Sequence, residues 1–110
     1  MARLEFTVEG SQGDAYHVLF ERDGSNLNVF CDCKAGLNGL YCKHRFALMD
    51  GDVSRLLSDN ATDVSRLPKL IAGTDVEAAI ADYREAEAAH ERANKALKSA
   101  KKKLAKAMHR

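Results

Sequence analysis

Every cysteine of this chain falls between residues 31 and 42, and a histidine follows at position 44. The stretch reads Phe30-Cys31-Asp32-Cys33-Lys34 and then Tyr41-Cys42-Lys43-His44-Arg45, a C-x-C, eight residues and a C-x-H. An odd number of cysteines packed into one short window does not make a disulfide framework, which uses an even number spread along a secreted chain. Four soft or borderline ligands in two close pairs suit one tetrahedral Zn²⁺ of the Cys3His type. Residues i and i+2 of an extended chain face the same way, so Cys31 and Cys33 can grip one ion from a strand end. The intervening loop, with Gly36 and Gly39, returns the chain so that Cys42 and His44 complete the shell. Four protein ligands leave no open position, which marks a structural rather than a catalytic zinc. The competing reading is three thiols merely buried in a core, a common fate of free cysteine. A redox pair is disfavoured, because C-x-C is not C-x-x-C and no helix start is evident just after Cys31.

The four residues Cys31, Cys33, Cys42 and His44 match the C-x-C-x(n)-C-x-H signature of the SWIM zinc finger, which the stretch from about residue 15 to residue 50 resembles. The resemblance implies short strands leading into the C-x-C, a short helix near the C-x-H and a ββα-like, non-catalytic zinc module. It also implies a use in DNA binding or protein interaction, which in that family often sits inside larger proteins.

Around the cluster the hydrophobic pattern has a period of two. Leu4, Phe6 and Val8 alternate with polar residues, then Tyr16, Val18 and Phe20, then Leu27, Val29 and Cys31. Turn residues separate the runs at Gly10 to Asp14 and at Asp23-Gly24. The expectation is a three-stranded antiparallel meander delivering Cys31 and Cys33 at its end. Phe46, Leu48 and Met49, on a short helix after His44, are expected to cover it. Domain boundaries are placed at 1–50 for this zinc-binding head, 51–73 for a connector of short helices packed on it, and 74–110 for a long helix. Within the connector, Asp-Val-Ser-Arg-Leu occurs at 52–56 and again at 63–67. Asn60 and Pro68 favour two short helices there, and the repeat reads as chance recurrence of an amphipathic turn ahead of the alternative, a duplicated binding motif.

Thr74-Asp75-Val76-Glu77 reads as a capping box. No Gly or Pro follows it, and Ala, Glu, Lys and Leu dominate to the end. Such a helix is about 50 Å long at 1.5 Å per residue. That exceeds the roughly 30 Å diameter of a body of some 73 residues. The fold class expected is therefore α+β: a small antiparallel sheet with a zinc-bound head, short helices and a long C-terminal coiled-coil helix.

The formal net charge of +1 conceals two opposed parts. Residues 1–91 carry nine Lys or Arg against sixteen Asp or Glu, while residues 92–110 carry eight Lys or Arg and no acid. The basic end, with Lys95, Lys98, Lys101, Lys102, Lys103, Lys106 and Arg110, is a candidate phosphate contact, joined by Lys34, Lys43 and Arg45 of the finger. No base-reading cluster accompanies it. Acid at the start of a helix and base at its end also complement the helix dipole.

A seven-residue pattern runs along the same helix. Val76, Tyr83, His90, Leu97 and Leu104 hold one position, and Ala79, Ala86, Ala93, Ala100 and Ala107 the position three later. Small residues at every second seam position call for large ones opposite. Antiparallel self-pairing about a two-fold between Glu91 and Arg92 sets Tyr83 against Ala100, His90 against Ala93, Leu97 against Ala86 and Leu104 against Ala79. It also lays acid along base, with Asp82 near the partner's Lys103.

His17, His90 and His109 have no ligand spacing, and no catalytic triad, P-loop or dinucleotide fingerprint is present. The expected function is a non-catalytic, zinc-structured protein-interaction module with one Zn²⁺ per chain, dimerising or docking a partner protein through its long helix. The alternative is a nucleic-acid binder using finger and Lys-rich end together. No small-molecule substrate or membrane is expected. No apolar run approaches the roughly 20 residues of a membrane span, and the start lacks the apolar stretch of a secretory signal. The expected place is the cytoplasm, or the nucleoid or nucleus for a nucleic-acid binder.

Overall fold

The computed structural model describes residues 2–109; Arg110, assigned to the basic end, lies outside them. The fold class is α+β as expected. Three strands, β1 (Ala2–Glu9), β2 (Ala15–Asp23) and β3 (Asn26–Cys31), form an antiparallel sheet in chain order. The register pairs Leu4 with Phe20, Phe6 with Val18, and Val18 with Cys31. Period-two alternation thus places Leu4, Phe6, Val8, Val18, Phe20, Leu27 and Cys31 on one buried face. Phe6 and Phe20 meet edge to face with centroids 5.8 Å apart. Gly24 turns β2 into β3 at φ +64°, a conformation that side chains with a Cβ rarely adopt.

Five helices follow: α1 (Lys34–Leu37), α2 (Lys43–Met49), α3 (Ala61–Val64), α4 (Leu67–Ile71) and α5 (Asp75–Met108). α2 packs against β3 as expected, with Leu48 buried and Phe46 and Met49 half-buried; Val64, Leu67, Leu70 and Ile71 of α3 and α4 are buried as well. The connector forms two short helices, α3 and α4, as expected; Pro68 sits in the first turn of α4, where its missing N–H has no partner to lose.

The two Asp-Val-Ser-Arg-Leu copies adopt different structures. The copy at 63–67 runs from α3 into α4, whereas the copy at 52–56 is not helical. There the Asp52 carboxylate accepts the Ser54 N–H and Leu56 bridges Val8 of β1. The same sequence is helical under one set of neighbours and a strand partner under another, so the repeat encodes no repeated structure.

The box at the start of α5 forms with one shift. Thr74 Oγ1 accepts from Glu77 N, and the Glu77 carboxylate accepts from Gly73 N rather than from Thr74 N. Thr74 N is already committed to Ile71 O. The chain divides into two compact units, one running to Glu77 and the other beginning at Ala78. In the second, α5 continues with no buried residue. No helix among the described residues is long and apolar enough to cross a membrane.

Candidate metal centre

β3 ends at Cys31, leaving Cys33 two residues on as the N-cap of α1 and Cys42 as the N-cap of α2. His44 is the second residue of α2. One strand end and two helix starts therefore converge. The four potential ligand atoms lie within 4.8 Å of one another. Cys33 Sγ and Cys42 Sγ are 3.4 Å apart, Cys42 Sγ and His44 Nδ1 3.5 Å, and Cys31 Sγ and His44 Nδ1 3.8 Å. A tetrahedron with Zn–S near 2.3 Å and Zn–N near 2.0–2.1 Å has edges of about 3.8 Å between sulfurs and about 3.5 Å from sulfur to nitrogen. The donor set and its spacing fit one metal ion. The three cysteines are buried and free of disulfides.

The electrostatics suit the same use. Burial pushes the Cys31 thiol up to about 12, so without a cation this group keeps its proton; a bound metal ion removes it. Burial also opposes ionisation of Cys33. The Gly36 N–H donated to its sulfur and the neighbouring thiols of Cys42 and Cys31 outweigh that and bring it below the ordinary cysteine range. Burial, followed by the charge of Lys43, holds His44 below the usual histidine range. That favours the neutral imidazole that ligates metals. Tyr16 covers the His44 ring at a centroid distance of 5.0 Å. His44 Nδ1 is the nitrogen turned to the thiols, and Nε2 is buried with no hydrogen-bond partner among the described residues.

Three supporting features escape a reading of the sequence. The first is α1, which does begin beside the cluster although no helix start is evident there. Its four residues carry no periodicity, and it is set by the Cys33 cap. The second is Gly36, where a Cβ would run into the Cys31 carbonyl and its Cβ. Gly36→Ala is expected to push α1 off β3, destabilising the head by about 1–3 kcal/mol and lowering metal retention in competition with a chelator; wild-type stability and retention would contradict the packing described. The third is Arg45, whose guanidinium donates to Val29 O at 2.9 Å and to Leu40 O. It ties α2 to the free edge of β3 and to the loop between the cysteine pairs, which gives this candidate nucleic-acid contact a structural task.

His17 is exposed, but it is not isolated. Its N–H donates to Asp32 Oδ1 at 2.8 Å, and its Nδ1 lies 3.0 Å from Asp32 Oδ2. Asp32 stands between two cysteines of the cluster, so this pair fastens the C-x-C turn to β2. Slight burial raises the Asp32 carboxyl, but the bonds from His17 prevail and hold it below the usual range.

The remaining candidates fall on two separate units. Lys34 and Lys43 are exposed in the first turns of α1 and α2. Lys98, Lys101, Lys102, Lys103 and Lys106 are exposed on α5, and Lys95 there pairs with Glu91 at 3.5 Å. On the seam, Val76 is half-buried, while Ala79, Tyr83, Ala86, His90, Ala93, Leu97, Ala100, Leu104 and Ala107 are exposed.

The fold and the cluster together define an α+β protein with a Cys/His site close enough to hold a metal ion. Comparison with protein-family models, curated proteins and solved structures gives no match for this chain.

Proposed function

We propose that the chain is a zinc-structured, non-catalytic protein-interaction module that pairs through α5, its preferred partner being a second copy. The observation that carries the interaction is the uncovered seam. Leu97 is 54% exposed and Leu104 60%, on a helix that buries none of its residues. Large apolar groups repeated along one face of such a helix are stabilised by a partner that covers them. The zinc assignment, Cys31, Cys33 and Cys42 by sulfur and His44 by Nδ1, is supported by the spacing of those atoms. When bound there, zinc supplies a cross-link between β3, α1 and α2, and no open position for chemistry. A SWIM-type reading is supported by element order, with β3 running into the C-x-C and α2 starting at the C-x-H.

The second reading, nucleic-acid binding, is favoured by the exposed lysines at the end of α5. A shift assay with labelled duplex across a salt series separates the two. The interaction reading expects weak binding with no sequence preference at physiological salt. A submicromolar complex with a log–log salt slope near −5, as six phosphate contacts would give, and its loss on removing residues 92–110, would reassign the function to nucleic acid.

A further inference from the structure

Along β1 the odd-numbered residues turn their backbone groups away from β2. Glu5 O accepts from Asn60 Nδ2, Thr7 O from Leu57 N, and Ser58 Oγ from Thr7 N; Glu9 N donates to Arg55 O. Segment 55–60 thus closes the free edge of β1 from Glu5 to Glu9 and then leaves it for α3. The same alternation turns the N–H and C=O of Arg3 outward. Neither makes a hydrogen bond among the described residues outside the strand ladder.

Beside this open stretch lies a cleft of about 530 Å³ between the start of β1 and α4. Arg3, Arg22, Arg66 and Lys69 line it, and no carboxylate does. The chain up to Glu77 has eight Lys or Arg against twelve Asp or Glu, so half the cations of an acidic body gather at one cleft. Arg22 is fixed in place by main-chain oxygens alone, donating to Gly24 O at 2.8 Å, Leu70 O at 3.1 Å and Ala72 O at 2.8 Å. Its charge meets no carboxylate there. Arg3 and Arg66 make exposed pairs with Glu5 and Asp63, and such pairs are worth little and exchange readily. Lys69 is exposed, with no hydrogen bond or ion pair among the described residues.

We propose that this cleft receives an extended acidic peptide of a partner protein, which adds to β1 at Arg3 and sets its carboxylates against Arg22, Arg66 and Lys69. Edge pairing supplies main-chain hydrogen bonds, and the cations select the side chains that alternate toward α4. Leu4 and Leu70 add an apolar wall suited to the intervening methylenes. A nucleic-acid strand would use the cations but leave the outward C=O of Arg3, an acceptor, facing phosphate oxygens. The surface lies within the first unit and is independent of self-pairing through α5, which is read separately by molecular mass.

The test uses the zinc-loaded full chain and a fluorescein-labelled Gly-Glu-Val-Glu-Val-Glu-Gly peptide, followed by fluorescence anisotropy. Saturable, salt-sensitive binding is expected, weakened about tenfold or more when Gln replaces Glu in the peptide. The double variant Arg66→Glu, Lys69→Glu should weaken it similarly; both residues are exposed, and thermal melting checks that the fold is kept. Bound peptide should slow hydrogen exchange at the Arg3 amide. Equal binding of the Gln peptide, indifference to the double variant, no saturation at millimolar peptide, or tighter binding of a short oligothymidylate that displaces the peptide would each overturn the proposal.

Discussion

Cys33→Ser is expected to unfold the head while leaving α5 helical. Zinc bound by a closed Cys3His shell contributes on the order of 10 kcal/mol of apparent folding free energy, and a whole domain of this size is stable by only about 5–15 kcal/mol. Cys33 has the further task of capping α1, accepting the Gly36 N–H at 3.3 Å. Serine supplies a shorter, harder donor that zinc ligates poorly when neutral. The sheet depends on the same site, since Cys31 is its last residue and Val18 of the core lies opposite it. Far-ultraviolet circular dichroism should therefore keep the helical signal of α5, while amide resonances of β1 to β3 collapse to random-coil positions. Unchanged strand resonances in the variant would show that core packing alone holds the head.

The second large effect concerns mass. Light scattering of the wild-type chain should give close to twice the monomer mass, and Leu97→Lys should return it to that of a single chain. In the antiparallel register Leu97 meets the partner's Ala86, so a lysine places a charge in the seam. Charge favours this direction of pairing. Residues 75–91 of α5 hold six acids and a single arginine, and the last turns hold only bases, so antiparallel chains lay attraction along the whole rod. Parallel chains would set eight bases against eight, a repulsion strongest at low salt. Spin labels placed at position 108 should lie roughly 50 Å apart, twice the distance from the two-fold along the helix. A short separation would mean parallel pairing, and a monomer mass at high concentration would remove the dimer.

The three strands and α5 were legible because each is a long run of one period: Leu4-Phe6-Val8 and its two counterparts for the sheet, and uninterrupted helix formers after Thr74 for α5. The clustering of Cys31, Cys33, Cys42 and His44 was legible because residue type and spacing already match those of a coordination shell. What the sequence hides is set by single contacts that belong to no period. α1 depends on one sulfur cap and on a glycine that avoids the Cys31 carbonyl. The first Asp-Val-Ser-Arg-Leu copy becomes an edge partner because Val8 is beside it. The bonds that Arg22 and Arg45 donate to main-chain oxygens of other elements have no periodic signal in the sequence. None of these belongs to a periodic run: Arg22 reaches Leu70 and Ala72 far along the chain, while the Cys33 cap of α1 is a single contact three residues away.

The most direct measurement of the central claim is metal content against fold. Native mass spectrometry of the purified chain, paired with elemental analysis, should find one zinc per chain. Stripping it with a strong chelator should unfold the head, and added zinc should restore it. Clearly less than one equivalent of metal in a chain whose strand resonances remain dispersed would contradict the account.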